Sequence, residues 1–111
     1  MNAEQLQSKL RDILGNQIIF NKEFNQFAQE IKNIDENLIE WCIQIKEKKI
    51  KPITGSVLDN KIVFIKKIGS SNRCIILKII NGEFKEVHLG DHTYYDKLTK
   101  LLGIKRSSHM Y

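Results

Sequence analysis

The feature that most constrains this chain is a pair of turn residues, Asn81-Gly82, between two apolar runs in its second half. This pair is preferred in tight type I′ turns, because both central residues of that turn need positive φ. The flanking runs at 74–77 and 84–89, and a third run at 62–65, have the composition of strands and are separated by turn residues. The sequence therefore predicts three antiparallel strands, and the last two form a hairpin.

The first half shows helical spacing instead. Asn2 and Gln5 form a capping-box pattern that opens a first helix, and Gly15 closes it. The pattern then predicts a short strand at 17–20, a helix over 24–31 and a helix from 35 to about 49, which ends before Pro52.

These elements predict one α+β domain spanning residues 1–111, with an additional N-terminal helix at 1–15. N-terminal helices are expected to pack on a small antiparallel sheet of about four strands. A C-terminal helix, opened by Thr93 and Asp96 and closed by Gly103, completes the domain. The length of 111 residues and the hydrophobic fraction of 41% fit one packed core.

Several classes of protein are excluded by what the sequence lacks. No stretch approaches the roughly 20 apolar residues that span a bilayer, and the N-terminus lacks a signal-peptide pattern, which predicts a cytoplasmic protein without a membrane partner. Cys42 and Cys74 lie in apolar segments and are expected to be reduced core residues, with a disulfide as the alternative. They have no ligand spacing for a metal, so no metal site is predicted.

Charge is divided unevenly between the two halves. Residues 1–50 hold seven Lys/Arg and eight Asp/Glu, whereas residues 51–111 hold eleven and five. The basic half indicates a polyanionic partner such as RNA, DNA or an acidic protein, although positive charge can also serve solubility alone.

The order of elements from Gln17 onward, a strand, two helices and an antiparallel meander, resembles the RelE/ParE superfamily of toxins. Residues 17–24 are similar to the opening strand and helix start of these toxins. Residues 72–92, with an arginine-led strand, a hairpin and a glycine followed by histidine, are similar to their C-terminal half. The resemblance covers roughly residues 17–96. The added N-terminal helix, His92 where an arginine is common, and a tyrosine pair slightly nearer the glycine than usual depart from it.

Toxins of the RelE branch, as the resemblance implies, cleave messenger RNA on the ribosome by activating a ribose 2′-hydroxyl against the adjacent phosphate. That reaction needs a base for the hydroxyl, cations for the charge that develops at phosphorus and an acid for the leaving oxygen. The resemblance implies a catalytic set that needs no metal or other cofactor: Arg73, His92, Tyr95 and Lys67. Further nucleic-acid contacts are expected from basic and aromatic residues of the second half: Lys61, Lys66, Lys78, His88, Tyr94, Lys105 and Arg106.

Each of these residues also has a structural interpretation. Arg73 could form a surface ion pair instead of a phosphate contact. Asp91-His92 could only cap a helix, and His88 could be a half-buried sheet residue. Either tyrosine could pack in the core, and the lysines could protect exposed strands from edge pairing.

The sequence thus predicts a RelE-like toxin that acts as an endoribonuclease. Its partners would be messenger RNA, the ribosome and a cognate antitoxin whose acidic or amphipathic segment covers the basic sheet face. The alternative is a non-enzymatic binding module, either a gyrase-directed toxin of the ParE branch or an inactive relative, and His92 favours it. A third possibility is assembly into a homo-oligomer through the apolar stripe of the N-terminal helix. That stripe must pack on a partner or on its own core, because so short a helix is marginal alone.

Overall fold

The computed structural model describes residues 1–53 and 60–103. Within these residues, helices and strands follow one another in the order α1 (Ala3–Leu14), β1 (Ile19–Phe20), α2 (Phe24–Glu30), a 3-10 turn (Lys32–Ile34), α3 (Asp35–Lys46), β2 (Lys61–Ile68), β3 (Asn72–Ile79), β4 (Phe84–Asp91) and α4 (His92–Leu102). The four strands form one sheet in the order β1-β4-β3-β2. The predicted α+β class is confirmed.

The sheet is mixed rather than wholly antiparallel. Strands β2, β3 and β4 form the predicted antiparallel meander, whereas β1 runs parallel to β4 with Ile19 opposite Glu86. A parallel pair needs a long crossover, and the chain between β1 and β4 supplies one. The expectation of an antiparallel sheet is therefore wrong for β1, because the composition of two paired residues carries no information on direction.

The β3–β4 hairpin is confirmed, but its turn is not of type I′. Asn81 has the positive φ of 59° that the pattern requires, whereas Gly82 is not among the glycines with positive φ. The Ile79 N–H donates to the Glu83 carbonyl at 3.0 Å, and the Gly82 N–H donates back to the Ile79 carbonyl at 2.9 Å. The connection is thus a longer loop, residues 80–83, and not a two-residue turn.

Helices cover both faces of the sheet. Helices α1, α2 and α3 form the larger core with one face, and α4 covers the opposite face through Tyr95 and Leu98. Alternate residues of a strand point to opposite faces. Accordingly, the unbroken apolar run of β3 sends Cys74 and Ile76 into the larger core, and it sends Ile75 and Leu77 toward α4. A central strand of a sheet that is covered on both faces needs apolar side chains on both faces.

The N-terminal helix packs on the domain's own core. Its capping box forms as predicted, with the Gln5 N–H donating to Asn2 Oδ1 at 2.8 Å. The apolar stripe is buried against α2 and α3, so it is not available for a second copy of the chain. Asp35 is the first residue of α3, and its carboxylate lies 2.9 Å from the N-terminal ammonium. This ion pair ties the start of α1 to the start of α3.

Cys42 and Cys74 are both buried and free, which confirms the reduced core interpretation. Burial raises the pKa of Cys42 to about 12. In the part of the chain that the structure describes, no helix has the length and apolar character needed to cross a membrane.

Candidate functional site

The candidate site is a pocket of about 300 Å³ at the end of the sheet where β2 turns into β3 and where β4 runs into α4. Antiparallel pairing places Arg73 opposite Gly90, so the start of β3 and the end of β4 meet here. The pocket is lined by one guanidinium, one imidazole, three hydroxyls and one carboxylate: Arg73, His92, Ser70, Ser71, Thr93 and Asp91. Two residues of the predicted catalytic set thus line the same pocket.

Arg73 is half-buried and lies on the α4 side of the sheet. Its guanidinium carbon is 5.7 Å from the centre of the Tyr95 ring, and Nη1 donates to the Asn72 carbonyl at 3.2 Å. The ring and the main-chain acceptor restrict how the guanidinium can turn. A positioned, partly desolvated guanidinium is well suited to phosphate oxygens.

His92 is the first residue of α4, and its side chain is 57% exposed. The cap of the helix is Asp91, whose carboxylate accepts the Tyr94 N–H at 2.9 Å. The imidazole Nε2 lies 3.5 Å from Asp96 Oδ2, one helical turn further on. Asp91 therefore caps the helix, and the imidazole of His92 is left accessible to solvent at the mouth of the pocket.

Tyr95 lies beneath the pocket rather than in it. Its side chain is 2% exposed, and its ring stacks on His92 with 6.3 Å between the ring centres. Together with Leu98 it packs on the α4 side of the sheet. This burial argues against the predicted catalytic role of Tyr95, whose ring instead packs against both Arg73 and His92.

Lys67 lies directly opposite Arg73 on β2 and is exposed. It lines a separate recess of about 280 Å³ on the other side of the β2–β3 turn, together with Lys66 and Trp41. The two lysines are thus neighbours of the pocket, not members of it.

His88 and Tyr94 contact each other. The Tyr94 hydroxyl is 2.8 Å from His88 Nδ1, and His88 Nε2 is 2.8 Å from Glu86 Oε1. Since a carboxylate only accepts, a neutral His88 donates from Nε2 to Glu86 and accepts the phenolic proton at Nδ1. Lys61, whose Nζ is 3.9 Å from Glu86 Oε2, extends this row of polar groups across the face. His88 is therefore a half-buried residue of the sheet, as its structural interpretation predicted.

The ionisation of Tyr94 is suppressed by its surroundings. Burial, together with the nearby carboxylates of Glu23 and Glu86, raises its pKa to about 12, although a hydrogen bond from Asn21 acts in the opposite direction. Tyr94 therefore stays protonated at neutral pH and acts as a hydrogen-bonding group that ties α4 to β4.

The remaining predicted contacts lie elsewhere. Lys78 is near the opposite end of β3, where its Nζ donates to the Ile79 carbonyl at 3.2 Å and lies 5.7 Å from the centre of the Phe84 ring. Lys105 and Arg106 lie outside the described residues. The described members of the predicted nucleic-acid set therefore lie in separate places: Lys61, His88 and Tyr94 on the α4 side of the sheet, Lys66 at the recess beside Trp41, and Lys78 near the opposite end of β3.

The hydroxyls of Ser70, Ser71 and Thr93 are pocket residues that sequence reasoning missed. The sequence indicated these residues only through their positions, since two of them lie in the turn before β3 and the third lies at the start of α4. Hydroxyls, a guanidinium and the start of α4 together can hold an anion, since helix N-termini favour negative charge, although the Asp91 carboxylate offsets part of this field. Within residues 1–53 and 60–103, no group of three His, Cys, Asp or Glu could hold a metal ion.

Comparison with known proteins adds no further assignment. The chain matches no protein-family model, no curated protein and no solved structure.

Proposed function

We propose that this chain is a cytoplasmic endoribonuclease of the RelE-like toxin kind and that the phosphate under attack binds in the Arg73–His92 pocket. The observation that supports this proposal is the convergence of Arg73, an accessible His92 and three hydroxyls around one small pocket in the basic half of the chain. The other partners in this proposal are the ribosome and an antitoxin.

In this proposal each side chain has a defined task. Arg73 binds the non-bridging phosphate oxygens and stabilises the charge that develops on them. His92 takes the proton of the ribose 2′-hydroxyl, and Asp96 stabilises the resulting imidazolium. The 2′-oxygen then bonds to phosphorus as the bond from phosphorus to the 5′-oxygen breaks. Water protonates the leaving oxygen, which leaves a 2′,3′-cyclic phosphate and a 5′-hydroxyl.

The test is cleavage of a defined messenger RNA, with and without ribosomes, by the wild type and by His92→Gln. We expect His92→Gln to slow cleavage by about 100-fold or more, which is the usual contribution of a general base. Its affinity for an RNA with a 2′-deoxy group at the cleaved position should stay within about twofold, because binding does not need the base. Arg73→Lys keeps the positive charge but loses the planar guanidinium that can bind two phosphate oxygens at once, so it should weaken both RNA cleavage and RNA binding.

Lys97→Ala is the matched control. It removes one charge from the exposed side of α4, outside the pocket. Urea unfolding of each variant separates loss of function from loss of fold. Intact messenger RNA in the presence of ribosomes, with wild-type protein that does not bind RNA either, would overturn the proposal.

The burial of Tyr95 favours a second candidate, a non-enzymatic binding module, because it leaves one predicted proton donor out of the pocket. Such a module would bind RNA without cutting it. The wild type and His92→Gln would then bind alike, and Arg73→Ala would bind less tightly.

A further inference from the structure

A second and larger cavity lies at the opposite end of the sheet from the Arg73–His92 pocket. This hairpin-end groove has a volume of about 1010 Å³. Its walls are the β3–β4 loop at 80–83, the linker after α1 and the segment that follows α3.

Hydrogen bonds hold two walls of the groove in place. The Ile80 N–H donates to the Asn60 carbonyl at 2.7 Å, which fixes the hairpin loop to the start of β2. Gln17 Nε2 donates to the carbonyls of Phe84 at 2.9 Å and Leu14 at 3.3 Å, which fixes the linker to the start of β4. The groove is thus preformed rather than a gap between loose segments.

The floor of the groove is apolar. Ile50, Pro52 and Ile62 are half-buried, and Ile80 is 41% exposed. Phe64 and Phe84 lie beneath them and are almost fully buried. A contiguous apolar surface of this kind is typical of a binding site for another apolar surface.

The rim of the groove is basic. It carries four lysines, of which Lys46, Lys48 and Lys51 are exposed and Lys78 is half-buried. Glu83 is the one acidic residue among the described residues that line it. An apolar floor with a positive rim complements a segment that has apolar residues on one side and carboxylates along its edges.

We propose that the hairpin-end groove binds an acidic amphipathic peptide segment of a partner protein. Helical segments of this kind place apolar residues at positions i, i+3, i+4 and i+7 into such a groove. The lysines would pair with the flanking carboxylates and speed the encounter.

Two observations favour an acidic peptide in this groove over nucleic acid in the groove and over an acidic segment on the sheet face. Bases of single-stranded nucleic acid commonly stack on exposed aromatic rings, and the two phenylalanines of the groove are buried, so its floor offers apolar contact but no stacking surface. The sheet face, where an acidic segment was expected from the sequence, is covered by α4. The groove is therefore the better place for an acidic partner.

The location also predicts independence from the Arg73–His92 pocket. Lys78 lies five residues beyond Arg73 along β3, a distance of about 17 Å at 3.3 Å per residue. A peptide in the groove should leave the affinity for RNA unchanged, whether or not the chain cleaves RNA.

The test uses a fluorescein-labelled helical peptide of about 16 residues with leucines on one side and glutamates beside them. Two controls are a scrambled peptide of the same composition and a peptide with lysines in place of the glutamates. We expect fluorescence anisotropy to show that the acidic amphipathic peptide binds at least about tenfold more tightly than either control.

Variants then locate the binding. Ile80→Ser and the double reversal Lys46→Glu with Lys51→Glu should each weaken binding by about tenfold or more. Lys97→Glu, an equivalent reversal on α4, and Arg73→Ala should leave it unchanged. Ile80, Lys46 and Lys51 are exposed, so these substitutions should leave the urea midpoint near that of the wild type.

Equal binding of the scrambled peptide, or full binding by both groove variants, would overturn the proposal. It would also fail if the groove variants lost affinity for RNA while keeping the peptide, because the groove would then be a nucleic-acid surface. Each outcome is independent of whether the chain cleaves RNA.

Discussion

The substitution Gly90→Ala tests how closely α4 lies on the sheet. Gly90 is buried in β4, opposite Arg73 and under the first turn of α4. A Cβ at this position would lie 2.6 Å from Cγ and 2.7 Å from Cβ of Tyr94. Non-bonded carbons are normally about 3.5–4.0 Å apart. Because the Tyr94 Cβ is attached to the backbone of α4, no change of rotamer relieves the contact, and α4 itself must move by about 1 Å.

The cost follows from two opposing effects. Forcing an extra carbon into a packed site costs about 1–3 kcal/mol, and the upper part of that range applies because backbone must shift. Alanine also lowers the conformational entropy of the unfolded chain, which stabilises the folded state by about 0.4–1 kcal/mol. We expect the free energy of unfolding to fall by about 2 kcal/mol, with a fall of about 8 °C in Tm for a domain of this size.

Urea unfolding of the wild type, Gly90→Ala and Gly82→Ala measures this difference. Gly82→Ala is the control, since its Cβ would lie 2.9 Å from Cγ2 and 3.0 Å from Cβ of Ile79, a smaller overlap than at Gly90 and in an exposed loop rather than under a helix. A Gly90→Ala midpoint equal to that of the wild type would refute the close packing of α4. Movement of α4 should also displace His92, so the RNA cleavage proposed for this chain should fall more than the loss of folded protein explains.

Four further outcomes follow from the contacts. Tyr94→Phe should lower the free energy of unfolding by about 1 kcal/mol, because His88 loses a half-buried hydrogen-bond partner, and RNA binding should not change; weaker RNA binding at unchanged stability would identify Tyr94 as a substrate contact instead. The pKa of Tyr94 is raised from 10.0 to about 12 in the folded chain, so the unfolded chain loses the phenolic proton at lower pH than the folded chain does. The free energy of unfolding should therefore fall as the pH rises from 10 to about 12. In urea unfolding at several pH values, Tyr94→Phe should lose less stability over this range than the wild type. The same loss in both proteins would contradict the attribution to Tyr94. Burial raises the pKa of Cys42 to about 12 and that of Cys74 well above its usual value, so a disulfide reagent at about pH 8 should label neither thiol before unfolding, and rapid labelling would contradict their burial. Asn2→Ala removes the α1 cap and should cost about 1 kcal/mol in urea unfolding, whereas an unchanged midpoint would show that the cap contributes nothing.

Local chemistry made much of the fold predictable. The capping box of Asn2 and Gln5, the C-terminal Gly15 and the hairpin around Asn81 depend on residues within a few positions of one another, and all three form. The direction of β1 was not predictable, because its pairing with β4 joins residues more than 60 positions apart in sequence. Two residues carry no pattern that distinguishes parallel from antiparallel.

Part of the lining of the candidate pocket was predictable from the sequence, and part was not. Arg73 and His92 were identified from residue type and resemblance, and pairing at the end of the sheet brings them together. The two tyrosines could not be assigned to core and surface, since adjacent residues of a helix differ by about 100°. Only the packing of α4 shows that Tyr95 is the buried one.

The covering of both sheet faces explains where function can lie in this fold. With α1, α2 and α3 on one face and α4 on the other, a ligand can approach mainly at the ends of the strands. One end combines Arg73 with the start of α4, so the helix that completes the core also presents His92. The other end combines apolar residues with lysines and does not involve α4. Substitutions that shift α4 should therefore affect the Arg73–His92 pocket and leave the hairpin-end groove intact, and this difference allows the two proposed activities to be tested separately in one protein.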